Sequence, residues 1–269
     1  MEHPNIIQHS NTRTRNPFSL NSFQIKLIAI LAMLLDHIAW KFLPLDSVGG
    51  QCLHLVGRTT APVMCFFLTE GYHHTRNLRK YFMRLGVFAL ISHFAFVYFE
   101  TGKWLAPCKS SVIAALLLSL MCVHVWHCAP PENAALNRDI HFGFPLHPAF
   151  RLPVIALLAL TATTCDWGIF AVLFTMTFEL ARRYGQKAQA RAYVLAALCY
   201  IITRWNLLSG GLSSIKTYFY AIGVLLPVPL LLIYNGKRGG GAFADKFKWF
   251  FYIFYPAHMI ILALIAKGV

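Results

Sequence analysis

The stretch Leu27-Ile28-Ala29-Ile30-Leu31-Ala32-Met33-Leu34-Leu35-Asp36-His37-Ile38-Ala39-Trp40 decides the fold class. It is the core of a mostly apolar run over residues 24–43. A run of roughly 20 such residues is what a helix needs to cross a bilayer. The adjacent Asp36 and His37 interrupt it. An ionisable side chain at membrane depth costs at least ~2.5 kcal/mol, so its presence is by default a functional hypothesis.

Working outward, similar runs recur near 52–73, 81–100, 110–128, 151–165, 167–183, 191–207, 214–234 and 249–267. With 24–43 they predict an all-α, polytopic integral membrane bundle of about nine transmembrane helices. The fifth and sixth runs are short and separated only by Cys165-Asp166-Trp167-Gly168. They read as a hairpin that barely spans or as a re-entrant pair. Composition agrees: 57% of residues are apolar, 13% charged and 14% aromatic, with 22 Phe. Mean hydropathy is +0.55. Soluble domains carry roughly 45–50% apolar and about 25% charged residues, which excludes a disordered chain, a collagen-like chain or an ordinary water-soluble enzyme. Residues 1–22 read as a mobile polar tail, and 23–269 as one transmembrane domain. The longest loop, 129–150, holds four prolines and reads as an irregular surface connection. The seven cysteines form no CxxC pair and read as small buried hydrophobes, and no zinc-type ligand spacing is visible.

The net charge is +14. Of the 24 Lys and Arg residues, 17 fall on one side of the expected topology, at 13–26, 76–84, 138–151, 182–191 and 237–248. This asymmetry places the N-terminus in the cytoplasm and the C-terminus in the periplasm. It also excludes nucleic-acid binding, because the charge is spread over alternate loops instead of gathered on one element.

At ~1.5 Å per helical residue, Asp36, His37, Arg58, His93 and His258 all lie about 9–13 Å from the outer ends of their spans. Four helices therefore bring ionisable groups to one layer. A buried Asp36–Arg58 pair that merely ties two helices is the plain structural alternative. Pro256, two residues before His258, frees a carbonyl and can kink the last helix. A second cluster, Glu70-Gly71-Tyr72-His73-His74-Thr75-Arg76 with Arg79, Lys80, Tyr81 and Arg84, sits at the basic end of spans two and three. Positive-inside anchoring explains part of it, and a site for a phosphorylated cofactor is the functional reading. Gly236-Lys237-Arg238-Gly239-Gly240-Gly241 lacks the ending and preceding strand of a P-loop and reads as a flexible basic loop. Glu179 is expected to pair with Arg182 or Arg183 at helical spacing.

Several blocks resemble the TraX family of conjugative pilin acetylases. Leu27-Ile28-Ala29-Ile30 with Met33-Leu34-Leu35-Asp36-His37-Ile38 resembles its first helix. Arg58-Thr59-Thr60-Ala61-Pro62, through Phe66-Phe67-Leu68 to Glu70-Gly71-Tyr72, resembles its second. His74-Thr75-Arg76-Asn77, Lys80-Tyr81 and Arg84-Leu85 resemble the basic loop that follows. Asp166-Trp167-Gly168 resembles the family's Asp-Tyr-Gly turn, with Trp for Tyr. Tyr234-Asn235-Gly236-Lys237-Arg238-Gly239 and Lys248 to His258 resemble the C-terminal blocks.

The resemblance implies a multi-pass enzyme of the bacterial inner membrane. It would acetylate the N-terminal amine of a pilin subunit from cytoplasmic acetyl-CoA, with no metal, in pilus biogenesis. A similarity to wider membrane acyltransferases that modify sugars leaves O-acetylation of an envelope saccharide as an alternative. A transporter or proton channel, which would be expected to show repeat symmetry, and a non-enzymatic assembly scaffold are the rival classes. Within the enzyme reading, His37 is the general base, with Asp36 or Arg58 setting its orientation. Arg58 can instead face the oxyanion. His258 is a second proton carrier or an acyl-accepting nucleophile, and His93 completes the layer. Glu70, His74, Arg76, Lys80 and Arg84, with Asn235 and Lys237, would receive the CoA phosphates and adenine. Membrane lipid and the pilin are the expected partners. Direct transfer and an acyl-histidine intermediate both remain open on these residues.

Overall fold

The structure, a computed structural model, describes residues 19–128, 146–206, 213–241 and 244–268. The tail through residue 18 and most of the 129–150 connection lie outside the described residues. The helices are α1 (Ser22–Phe42), α2 (Val48–Gly57), α3 (Thr60–His74), α4 (Leu78–Thr101), α5 (Val112–His127), α6 (Arg151–Ala162), α7 (Gly168–Ala181), α8 (Gln186–Arg204), α9 (Ser213–Thr217), α10 (Pro227–Leu232) and α11 (Ala244–Ala266). No strand occurs among the described residues. Isolated bridges join Leu20 to Tyr234 and Ser110 to Cys165.

Local chemistry sets the helix ends. Asn21 and Gln24 exchange side chain-to-backbone hydrogen bonds of 3.0 Å, a capping box that starts α1 one residue earlier than the polar-tail reading. Asn77 caps α4 by accepting from the Lys80 amide at 2.8 Å, and Gly102, at φ 71°, ends it.

The span expected at 52–73 lies within one candidate membrane segment, Val48–His74, built of two helices that meet at a break. Pro62 has no amide to return to the Arg58 carbonyl, and the Thr59 amide instead donates to the Val56 carbonyl at 3.1 Å. The break falls beside Arg58, so the helix is interrupted where a polar group is needed. The 214–234 run is likewise divided, into α9, a 3-10 turn at Phe219–Leu225, and α10. Pro227 and Pro229 each remove an amide there, and Gly223 packs so closely on the Leu55 carbonyl that no Cβ would fit.

Among the described residues, four segments are long and apolar enough to cross a membrane: Ser22–Phe42, Val48–His74, Leu78–Thr101 and Trp249–Ala266. Val112–His127, Pro148–Ala162 and Phe219–Leu232 are shorter apolar helices. Leu31, Met83, Leu90, Leu157, Leu195 and Ile261 are each more than half exposed. Their outward faces would be a liability in water and are ordinary against lipid. α1 packs on α2, α3 and α11, while α5 lies among α4, α6 and α7. α11 runs unbroken through Pro256.

Contacts define two ends of the bundle. At the basic end Leu20 meets Tyr234, Arg182 meets Glu70, and Gln186 Nε2 donates to the Tyr234 carbonyl at 2.9 Å. At the distal end Lys41 Nζ donates to the Phe99 carbonyl at 2.7 Å and Lys267 Nζ to the Gly102 carbonyl at 3.1 Å. Ser110 and Cys165 bridge there as well.

Candidate functional site

Successive helical residues point ~100° apart, so the adjacent Asp36 and His37 serve different neighbours. Asp36 turns to α2. Its Oδ2 accepts from Arg58 Nη2 at 2.6 Å and its Oδ1 from His54 Nδ1 at 2.8 Å. His54 and Arg58 are four residues apart and grip one carboxylate from one helix face. Between them, a Cβ on Gly57 would overlap the Asp36 side chain, so glycine lets the two backbones close. All three polar groups are buried, and Arg58 lies over the Trp167 ring at 4.9 Å and the Tyr220 ring at 5.2 Å.

His37 turns to α11 instead. The orientation expected from Asp36 or Arg58 comes from the Met33 carbonyl and His258. Hydrogen-bond logic assigns the tautomers. His258 Nδ1 lies 2.8 Å from the Phe254 carbonyl, which can only accept, so Nδ1 carries the proton and Nε2 is bare. His37 Nδ1 lies 2.9 Å from the Met33 carbonyl and 3.0 Å from His258 Nε2. Both are acceptors, so His37 Nδ1 donates to both. The lone pair of His37 is thereby left on Nε2. Phe99 and Tyr255 meet the imidazole edge-on and hold its plane.

A cavity of about 570 Å³ connects this layer to the basic end. Along α1 it is lined by Ser22, Lys26, Ile30, Met33 and His37, one face at spacings of three and four residues. That stripe is ~22 Å long by helical rise. The mouth is formed by Lys26, Glu70, Gly71, His74, Tyr81, Arg84, Gly236, Arg238 and Gly239. The loop at 233–239 is fixed against the start of α1, where the Ser22 and Phe23 amides donate to the Lys237 and Arg238 carbonyls. The middle is apolar, with Met64, Leu68, Leu85 and Leu116. The far end is Asp36, His37, Asp166 and Trp167.

A second cavity of about 220 Å³ lies beyond that end, lined by Arg58, Lys109, Thr163, Asp166, Trp167, Tyr200 and Arg204 among others. Asp166 and Trp167 line both cavities. Trp167 sits at φ 61°, a left-handed conformation that is an outlier for a bulky residue, and its ring stacks on Tyr200. The Asp166 amide donates to the Ser110 carbonyl at 2.8 Å, and Asp166 Oδ1 accepts from the Trp167 amide at 2.9 Å. In this turn between α6 and α7, burial pushes the Asp166 carboxyl above its ordinary value, against the opposing pull of Arg58 and His37.

The structure thus brings Asp36, His37, Arg58 and His258 together. His93 lies apart: its Nδ1 is 3.2 Å from Ser110 Oγ and it lines neither cavity. Glu70, His74 and Arg84 reach the large cavity, whereas Arg76 and Lys80 are exposed outside it. Asn235 and Lys237 stand beside the mouth, and Asn235 Oδ1 accepts from the Lys237 amide. Glu179 does not pair with Arg182 or Arg183. It accepts from His73 and His127, while Arg182 Nη2 lies 3.3 Å from Glu70 Oε1. Sequence reasoning missed His54, Lys26 and Arg238. The four-residue spacing of His54 to Arg58 and the helical spacing of Lys26 to Met33 and His37 were the signals available.

A model of the family described as TraX protein matches residues 22–266. The chain is 36% identical over 247 residues to a Dichelobacter nodosus protein named "Probable fimbrial assembly protein FimC, serogroup H1", covering 90% of this chain and 94% of that relative. No solved structure matches the chain significantly.

Proposed function

The chain belongs to the TraX family, and on that footing we propose that it is a membrane acetyltransferase that moves an acetyl group from cytoplasmic acetyl-CoA to the N-terminal amine of a pilin subunit held in the inner membrane. The family and the fimbrial assembly relative support a role in pilus assembly or pilin modification. The observation that carries the acyl-transfer reading is the large cavity, cationic at its mouth, apolar along its length and lined at its far end by His37.

The residues suit the donor. Lys26, Arg84 and Arg238 offer positive charge at the mouth, and Arg84 Nε is a buried donor with no partner among the described residues. Such groups match phosphates, and the apolar length behind them matches a pantetheine arm. Acetyl-CoA supplies an acyl group on a sulfur leaving group. His37 Nε2 takes the proton released as the amine nitrogen bonds to the carbonyl carbon, and returns it to the sulfur as the carbon–sulfur bond breaks. Arg58, which lines the adjoining distal cavity, is the candidate to face the carbonyl oxygen. The small distal cavity is the route for the amine. The amine enters as the neutral base, since Arg58, Lys109 and Arg204 line this cavity, and Asp166 and Trp167 stand where the two cavities meet.

Mass spectrometry of pilin from cells with and without this protein tests the reading. The expected difference is one acetyl group on the N-terminal residue. Unchanged pilin with loss of acetyl from an envelope saccharide would keep acyl transfer and remove the pilin. No change in either would remove the enzyme reading.

A further inference from the structure

A second polar cluster stands outside the cavities, at the basic end. His73 Nε2 lies 2.9 and 3.0 Å from the two carboxylate oxygens of Glu179, and His127 Nε2 lies 2.8 Å from Glu179 Oε1. The three ligand atoms all fall within 4.8 Å of one another. Glu179 is 6% exposed, while the His73 and His127 side chains keep about a quarter to a third of their surface. The residues come from three helices, so only the tertiary fold assembles them.

The backbone around the cluster favours a cation. His73 is in the last turn of α3, His127 is the last residue of α5, and Glu179 is in the last turn of α7. Each helix C-terminus carries roughly half a negative charge, and three of them converge beside a buried carboxylate. The imidazoles are held in place: the Tyr72 ring stacks on His127, and His73 meets His127 edge-on.

We propose that His73, His127 and Glu179 bind one divalent cation of the zinc type, with its remaining position open to solvent. Two imidazole nitrogens and a carboxylate form a donor set that zinc takes at about 2.0–2.2 Å in tetrahedral geometry. Ligand atoms around such an ion stand about 3.4 Å apart by that geometry, so the imidazole–carboxylate distances open by roughly half an ångström to receive it. The ion clamps α3 against α5 and α7. It thereby fixes the part of α3 that presents Glu70, Gly71 and His74 to the cavity mouth. Glu179 is then a ligand, and its burial without an arginine partner has a physical reason. The proposal does not depend on the acetyl-transfer reading.

The test uses the full chain, purified in detergent without a polyhistidine tag, stripped with a chelator and titrated with zinc chloride alone. One zinc per chain should bind at micromolar concentration and raise the thermal midpoint of the stripped protein. Glu179→Gln, which keeps the shape of the side chain, and His127→Ala should lose both effects. His127→Cys, which restores a zinc ligand, should regain stoichiometric binding. Absence of stoichiometric binding to the unmutated protein, or zinc binding by Glu179→Gln equal to it, would overturn the proposal. The measurement on the unmutated chain stands even if a variant fails to fold.

Discussion

His258 Nε2 lies 3.0 Å from His37 Nδ1, joining the last helix to the first across 221 residues of chain. With the Met33 and Phe254 carbonyls, this contact fixes both tautomers and leaves the lone pair of His37 on Nε2. His258 therefore positions His37, and the two histidines have unequal roles.

That inequality is measurable. His37→Ala should remove acetyl transfer by the factor a general base supplies, about 10²–10⁴, while acetyl-CoA binding is retained. His258→Ala should lower kcat by less, with little change in the donor KM. Equal losses in both variants, checked by steady-state kinetics and binding, would contradict the assignment.

The Asp36–Arg58 pair is buried and braced by His54. Removing one partner leaves the other charge uncompensated, so Arg58→Ala should destabilise the protein by about 3–5 kcal/mol. The double variant Asp36→Leu with Arg58→Met should recover much of that loss while remaining inactive. Thermal unfolding in detergent distinguishes the two.

Gly57 and Gly86 are both helical glycines in unlike surroundings. A Cβ at Gly57 would overlap Asp36, whereas at Gly86 the nearest atom is Leu117 Cδ2 at 4.0 Å. Gly57→Ala should separate α1 from α2 and abolish activity. Gly86→Ala should be neutral or stabilise by about 0.5–1 kcal/mol through helix propensity. Expression level and thermal midpoint report both.

At the cavity mouth, Lys26→Ala and Arg84→Ala should each weaken acetyl-CoA binding by about 1.5–3 kcal/mol, a loss of roughly ten-fold or more. The loss should shrink as salt is raised. Arg76→Ala, exposed and outside the cavity, should change binding far less. Titration calorimetry at two ionic strengths checks all three.

The membrane-helix class was legible because composition and run length are one-dimensional signals, and Asp36-His37 stood out against them. Azimuth was not legible. His93, expected in the layer of His37, pairs with Ser110 instead, because which side of a helix meets the core depends on packing. The break at Arg58 had a visible cause in Pro62, yet a proline in an apolar run can also be absorbed, as Pro256 is in α11. Local spacing offered Glu179 an arginine three or four residues away. Its partners come from α3 and α5, 106 and 52 residues distant, where no sequence rule reaches.

The most direct measurement is made in vesicles that contain the purified protein and a membrane-held pilin subunit, with acetyl-CoA supplied only to the basic face. Mass spectrometry of the pilin should then show one acetyl group on its N-terminal amine, present with the unmutated protein and absent with His37→Ala. Pilin left unmodified, or acetylated equally by both proteins, would contradict acetyl transfer at His37.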